Sequence, residues 1–180
     1  PLSYKKTDPV EGDVIQRLRI VPKVSIEPNN NLFIYQKGAA GTVTLHLKVF
    51  EDIATSSLAV YANQTQIETV ALPELKRGLD TFISIDVPTD KLSGKPEQDI
   101  LAFAVEAGGH NYSREIHLID YPHIPELQYF TDARMKAIPK DWKVAVKKIG
   151  YIEGVGDYVD EVLRLCGLTV EEIPLNKLND

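Results

Sequence analysis

Apolar and polar residues alternate with a period of two from about Val24 to Tyr121. The clearest run, 42–49, carries valine or leucine at every odd position and a polar residue at every even one. A second run, 79–87, repeats the pattern, although Phe82 interrupts it. Strands with one buried face have this period. The sequence therefore predicts strands over both runs.

Turn residues divide the same region into short strands. Gly108-Gly109 supplies the positive φ angles of a tight turn, so 100–105 and 112–119 are predicted to pair antiparallel. Asn63-Gln64 predicts a turn into a strand around 67–70. With two further short strands, 32–35 and 58–62, the total is about seven to nine, which is typical of an antiparallel sandwich of immunoglobulin-like size. The predicted fold is mainly β, with the sandwich domain spanning 24–121.

The flanking segments have a different character. Residues 1–23 are interpreted as an N-terminal connecting segment. Pro122, Pro125 and Pro139 punctuate a stretch without a sustained period, so 122–146 is predicted to be a linker.

A strand, a helix and a strand are predicted in 147–180. The strand 147–152 is followed by a turn at 153–156, and Asp157 is the expected helix N-cap. Gly167 ends the helix, and 169–173 forms the second strand. The apolar stripe expected to face a sheet consists of Val159, Val162, Leu163 and Cys166.

This strand-helix-strand unit predicts two parallel strands with a crossover helix. One such unit is too short for a complete α/β domain, so we expect the chain to stop inside a second domain. The uncovered edge and helix face predict either docking on the sandwich or a weak homodimer.

Charge and composition narrow the partners. The net charge is −6 and the pI is near 5.3, which disfavours nonspecific nucleic-acid binding. No apolar run approaches the length of a membrane-spanning helix. The single cysteine, Cys166, cannot form a disulfide within the chain. The expected class is a binding or interaction protein without nucleic acid or a membrane span.

The turn before the predicted helix is a candidate ligand site. Gly154, Gly156 and Asp157 lie where backbone amides and a helix N-terminus could hold an anion or a nucleotide phosphate. The third glycine of a dinucleotide fingerprint is missing, and Asp157 and Asp160 are negatively charged. The alternative interpretation is a tight turn with a capping aspartate.

A metal site was weighed at His117, Asp120 and His123, which recur every three residues. On a strand, His117 and Asp120 point to opposite faces, so they converge only if the chain bends near Pro122. We therefore predict no metal site and no cofactor in this chain.

The sequence does not indicate a nucleophilic catalytic triad. No serine occupies a Gly-x-Ser-x-Gly elbow, and Cys166 lies on the apolar stripe. Tyr35, Tyr61 and Tyr112 are candidates for a sugar-stacking surface, with packing in the core or at its rim as the alternative. Paired carboxylates for sugar cleavage stay open as an alternative, because Asp and Glu are numerous and no pair stands out. Carbohydrate binding by the sandwich is another candidate function.

Three stretches, taken together, resemble a known family. The first is Tyr4 to Asp13 together with Val21-Pro22-Lys23-Val24. The second is Ile119-Asp120-Tyr121-Pro122-His123-Ile124-Pro125. The third is Ile149 to Val159, which contains Gly154-Val155-Gly156-Asp157-Tyr158. Their order and spacing are similar to the region downstream of the catalytic domain in large bacterial LmbE-like, or PIG-L family, deacetylases. Lys6 and Asp160 depart from the pattern, where an aromatic residue and a proline are expected.

The resemblance implies that an upstream zinc-dependent domain removes acetyl groups from N-acetylglucosamine-type substrates. Its His-Pro-Asp-Asp and His-x-x-His motifs do not occur in this chain. The resemblance therefore implies that this chain is a noncatalytic accessory segment and that zinc is expected only upstream. The resemblance also implies that 147–180 begins a class I glutamine-amidotransferase-like α/β domain. The implied partners are the deacetylase domain and the remainder of that α/β domain, in a bacterial periplasmic or extracellular location if the parent protein is secreted.

Overall fold

Fifteen strands, one α-helix and one 3-10 helix are found in the described part of the computed structural model. The described residues are 3–10, 12–95, 99–121, 124, 126–141, 143, 145–154 and 158–174. The elements are β1 Ser3–Asp8, β2 Gly12–Arg17, β3 Val24–Pro28, β4 Leu32–Tyr35, β5 Gly41–Val49, β6 Ser56–Ala62, β7 Thr65–Leu72, β8 Asp80–Val87, the 3-10 helix Thr89–Lys91, β9 Asp99–Ala107, β10 His110–Tyr112, β11 Arg114–Ile119, β12 Leu127–Asp132, β13 Arg134–Pro139, β14 Lys148–Tyr151, α1 Val159–Leu165 and β15 Thr169–Glu172.

Two sheets form the body of the protein. Three antiparallel strands in the order β3-β5-β8 make the smaller sheet. The larger sheet has the order β4-β13-β9-β6-β7, and β10 pairs with one end of β9. All of its pairs are antiparallel except β4 with β13, which is parallel. The alternating runs predicted at 42–49 and 79–87 correspond to β5 and β8.

One hydrophobic core lies between the sheets, which is the arrangement of a β-sandwich. Both sheets contribute fully buried side chains to it, such as Leu45 and Leu47 from β5 and Leu58 and Phe103 from β6 and β9. The odd positions of β5 are buried, as their alternation predicts. Phe82 has an even number in β8 and points outward, where it is 63% exposed. It therefore keeps the period of two with an apolar residue on the solvent face.

The turns before β7 and β10 form where the sequence predicts them. Asn63 and Gln64 have φ angles of 49° and 73°, and Gly108 and Gly109 have 56° and 76°. Two-residue hairpin turns require such positive angles. The β6–β7 and β9–β10 hairpins follow directly from these turns.

The predicted boundary at residue 121 differs from the structure. The stretch 122–146, predicted to be a linker, contains β12 and β13, and β13 is a central strand of the larger sheet. After β10 the chain leaves the sheet as the β11–β12 hairpin and then returns as β13. The expected pairing of 112–119 with β9 therefore holds only at its beginning, because β11 pairs with β12 instead. We call 114–132 the hairpin insertion.

The N-terminal segment also contains secondary structure. Within 1–23, β1 and β2 form an antiparallel hairpin, joining Ser3 to Arg17 and Asp8 to Gly12 in register. Alternation in this segment is weak, so the sequence predicted only a connection. The side chain of Arg19 then pairs with Glu126, near the start of β12.

The C-terminal unit comprises β14, α1 and β15, with β14 and β15 parallel. Gly167 has a φ of 85° directly after the helix, in agreement with its predicted role as the helix stop. The predicted burial of the helix stripe is wrong, because no residue of α1 is buried and Val159 and Val162 are each 50% exposed. A sheet of two strands is too narrow to cover the apolar side of the helix. The N-cap is Tyr158 rather than the predicted Asp157, which lies outside the described residues.

The helices of the described segments include none that is long and apolar enough to cross a membrane.

Candidate functional site

A depression of about 630 Å³ opens at the turn end of the larger sheet. The start of β6, the end of β9, the Gly108-Gly109 turn and β10 surround it. The side chains that can form hydrogen bonds there belong to Thr55, Ser57, Glu106, His110 and Asn111. We call this feature the Glu106 depression.

Strand register places three of these residues in one row. Glu106 lies opposite Ser57 on β6 and opposite Asn111 on β10. Ala71 on β7 extends the row, since it lies opposite Ser57. Cross-strand partners share a face of the sheet. Because Val105 points into the core, Glu106 and its row face outward.

These polar side chains do not pair with one another. Within the described segments, no hydrogen bond or ion pair involves the side chains of Thr55, Ser57, Glu106 or Asn111. The ring of His110 tilts against Tyr112 at a centroid distance of 6.4 Å. Ser56 also borders the depression, and its buried Oγ lacks a hydrogen-bond partner among the described residues. The row therefore offers unused donors and acceptors to a ligand.

The lining of the depression explains its shape. Ala71, Ala107 and the two turn glycines carry little or no side chain. Ala71 belongs to the same outward-facing row, whereas Ala107, next to Glu106 in β9, packs against the core. The lining residues include Glu106 but no lysine or arginine, so no basic side chain lies among them.

A different carboxylate, Asp99, is buried at the opposite end of β9 and is 1% exposed. It accepts hydrogen bonds from Tyr35 Oη at 2.7 Å, Asn63 Nδ2 at 3.0 Å and Ser93 Oγ at 2.9 Å. Burial pulls the pKa of Asp99 upward, but these hydrogen bonds outweigh it and hold the pKa below the usual value. Burial, reinforced by the bond to Asp99, raises the pKa of Tyr35 to about 12. The network ties the loop after the 3-10 helix to the body of the sandwich.

The outer face of the smaller sheet carries a charged row. His46 lies between Glu27 and Asp80, with nitrogen-oxygen distances of 3.3 and 3.2 Å, and its ring stacks on Phe82 at 4.5 Å. The hydrogen bond from Lys48 lowers the pKa of Glu27. His46 was expected to be an exposed strand residue, but its side chain is mostly covered by these neighbours. The charges of this row pair with one another, although Glu27 Oε2 and His46 Nε2 are buried without a hydrogen-bond partner among the described residues.

His117, one of the candidate metal ligands, has other contacts. His117 forms a 2.7 Å hydrogen bond with Thr131 Oγ1 and stacks on Tyr129, its partner across the β11–β12 hairpin. His123 lies outside the described residues, and Asp120 is exposed. Burial raises the pKa of the neighbouring Glu115. Within the ranges that the structure describes, no group of three or more His, Cys, Asp and Glu could hold a metal ion.

The predicted anion site remains a prediction. Gly154 is exposed after β14, while Gly156 and Asp157 lie outside the described residues. The helix that follows, α1, has seven residues.

The three tyrosines do not form an exposed surface. Tyr35 is 2% exposed and belongs to the Asp99 network. Tyr61 and Tyr112 are partly buried, and Tyr112 packs against the core. The expectation of packing in the core or at its rim thus describes Tyr35 and Tyr112 better than a stacking surface does.

Glu106, Ser57 and Asn111 were not identified from the sequence. The alternation of Leu101, Phe103 and Val105 places Glu106 on the outer face, and this signal was available. Its neighbours across the sheet depend on which strands pair and in which register, and no local pattern in the sequence specifies that.

The sheets and the shared core define a mainly β protein with a two-sheet body. No model of a known protein family matches the chain, and no curated protein matches it. Among solved structures, similar ones include the crystal structure of the CARDB domain of the PF1109 protein from Pyrococcus furiosus in complex with di-metal ions. Its sequence is 9% identical to that of this chain, the TM-score is 0.39, and the match covers 66% of this chain and 96% of the CARDB domain chain. The solution NMR structure of the same domain gives 9% identity, a TM-score of 0.36, and coverage of 64% and 94%. Both TM-scores lie below 0.5, so the fold and the site are interpreted from this chain's own geometry.

Proposed function

We propose that the chain is a noncatalytic accessory and interaction module of a larger LmbE-like deacetylase. The observation that carries the interaction role is the exposure of apolar side chains on α1, which has no buried residue and where Val162 is 50% exposed. Exposed apolar clusters on a folded unit are typical of surfaces that contact other domains. The link to a deacetylase is supported by the three sequence stretches that resemble that family.

We also infer that the sandwich is immunoglobulin-like. The order of its strands supports this, because three strands face a larger sheet and β3 and β4, which follow each other in sequence, lie in different sheets. The C-terminal unit is proposed to begin a class I glutamine-amidotransferase-like α/β domain. In sequence, α1 lies between β14 and β15, and these two strands pair in parallel. This strand-helix-strand order supports the assignment. The remainder of such a domain, or a second copy in a weak homodimer, would cover α1.

Two measurements test the accessory role. We expect the purified chain to contain no stoichiometric zinc by metal analysis and to release no acetate from N-acetylglucosamine. Stoichiometric zinc together with turnover would overturn the proposal. Independently, the reading frame upstream of the Pro1 codon is expected to encode His-Pro-Asp-Asp followed by His-x-x-His, and a reading frame without either motif contradicts the link to a deacetylase.

A further inference from the structure

We infer that the Glu106 depression binds a neutral oligosaccharide. The inference goes beyond the proposed interaction role, which rests on α1, and is independent of the proposed link to a deacetylase. It is carried by three observations: the row of unpaired polar side chains, the small residues that leave room above them, and the charge of the lining.

The unpaired groups match a ligand rich in hydroxyl groups. Glu106 can only accept hydrogen bonds, whereas Ser57, Thr55 and the amide of Asn111 can both donate and accept. A sugar ring presents several adjacent hydroxyl groups, each of which is also a donor and an acceptor. One ring can therefore pair with Glu106 and with its neighbours on both sides, which are fixed opposite it by strand register.

The shape of the depression agrees with this ligand. Its volume of about 630 Å³ lies within the range of small-molecule sites. Ala71 and the turn at Gly108 carry little or no side chain, which leaves room beside the row for the C–H face of a sugar ring. The strands β6 and β9 hold the row in place, since Leu58 and Val105, adjacent to Ser57 and Glu106, are fully buried. The site is thus formed before the ligand arrives.

The charge of the residues that line the depression favours neutral ligands over anionic ones. The lining contains a carboxylate and no lysine or arginine, so phosphate, sulfate and uronate groups would meet an uncompensated negative charge. A neutral sugar avoids this repulsion, and its hydroxyl groups form the stronger hydrogen bonds that a charged acceptor makes.

The test uses the full chain and defined probes. Cellotetraose, maltotetraose and mannotetraose are titrated separately while backbone amide signals are followed by NMR, and a glycan array of neutral and acidic sugars extends the survey. We expect at least one neutral glycan to shift the amides of 55–57 and 106–111. Binding is expected to be insensitive to salt between 50 and 500 mM, because the ligand carries no charge.

Variants locate the site. Glu106→Ala should weaken binding about tenfold, the effect of losing one hydrogen bond to a charged group, and Asn111→Ala should weaken it several-fold. Both residues lie on the surface without partners, so the melting temperature should stay within about 2 °C of the wild type. Asp132→Ala is the matched control, because it removes an exposed strand carboxylate outside the depression and should leave the affinity unchanged.

Several outcomes would overturn the inference. They are an array on which no neutral glycan binds, binding restricted to acidic glycans, shifts at 55–57 and 106–111 caused by spermidine but by no sugar, and an affinity that Glu106→Ala does not change. Each of these leaves the upstream His-Pro-Asp-Asp test unaffected, so failure of the sugar site is distinguishable from failure of the accessory role.

Discussion

Asp99 and Glu106 lie near opposite ends of β9 and face opposite sides of the sheet. Asp99 points inward and its carboxylate is saturated by hydrogen bonds, whereas Glu106 points outward and has none within the described segments. A buried carboxylate is tolerated only when it is paired, so the Asp99 network serves stability. An unpaired carboxylate at a surface is tolerated because water can solvate it, which leaves it available to a ligand.

Because of Tyr35, the free energy of unfolding should vary with pH in the alkaline range. Its pKa rises from 10.0 to about 12 in the folded chain. Above pH 10 the unfolded chain loses the phenolic proton while the folded chain keeps it, so the free energy of unfolding falls as the pH rises through this window and is unaffected by Tyr35 below it. A shift of this size corresponds to a loss of the order of 2 kcal/mol. Urea unfolding at intervals between pH 8 and pH 12 measures it.

Substitutions separate Tyr35 from the other groups that titrate in this range. Tyr35→Phe removes the hydroxyl group and keeps the ring, so its free energy of unfolding should fall less steeply above pH 10 than that of the wild type. Tyr158→Phe is the control, because Tyr158 is 71% exposed, and it should retain the wild-type slope. Equal slopes in all three proteins would contradict the role of Tyr35.

Strands were predictable from the sequence where one face is buried and the run is long. β5 alternates over nine residues, and its buried positions are those that the pattern indicates. β13 was missed because its alternation of Met135 and Ala137 spans only six residues and ends at Pro139, in a region rich in prolines. The missing strand shifted the predicted boundary of the sandwich to residue 121. A short strand in the centre of a sheet is specified by its neighbours more than by its own residues.

The hairpin insertion interrupts a strand that is continuous in register. Tyr112 lies opposite Val105 and Arg134 opposite Ala102, which leaves one position each for Ser113 and Ala133. Deleting 114–132 and joining Ser113 to Ala133 should therefore give one unbroken strand beside β9. We expect a single cooperative unfolding transition in urea, with a free energy of unfolding lower by about 1–2 kcal/mol. The loss arises because 114–132 contacts the rest of the chain. The Ile116 amide donates to Ser25 Oγ, Gln128 donates to the Ile20 carbonyl, and Glu126 pairs with Arg19.

A deletion that differs by one residue is the matched control. Removing 114–131 leaves Asp132 in the strand and shifts β13 by one position, which turns Met135 and Ala137 away from the core. This variant should lose several kcal/mol of stability or lack a cooperative transition. If the two deletions behave alike, the register across the insertion is not continuous.

The sequence predicted the two parts of the molecule with unequal accuracy. The sandwich strands follow from alternation because a large shared core enforces it. In the C-terminal unit, residues close in sequence are enough to predict the two parallel strands and the end of the helix at Gly167. They are not enough to predict how far the apolar stripe of α1 is buried. Burial depends on what lies opposite the helix, and only Val170 is buried among the described residues of 147–174. The Glu106 depression depends in the same way on neighbours that are distant in sequence.

This difference predicts two levels of stability in the full chain. Regions with few buried apolar contacts open locally at lower free energy than the core. Backbone amides of the C-terminal unit, such as those of Thr169 and Ile173, which donate to Lys147 and Tyr151, should exchange with deuterium faster than the amide of Phe103 in β9. Val170→Ala should accelerate exchange in the C-terminal unit by at least tenfold, because it truncates the one side chain that is buried among the unit's described residues.

The same substitution should leave exchange in β5, β6 and β9 unchanged, since their core contains no residue of the C-terminal unit. Val146→Ala is the control, because Val146 is 55% exposed and its truncation creates no cavity. Equal acceleration at Phe103 and Thr169 in the Val170→Ala protein would mean that the sandwich and the C-terminal unit unfold together. Selective acceleration at Thr169 would instead establish the C-terminal unit as a separately unfolding element, which is the behaviour expected of a surface that gains its stability from a partner.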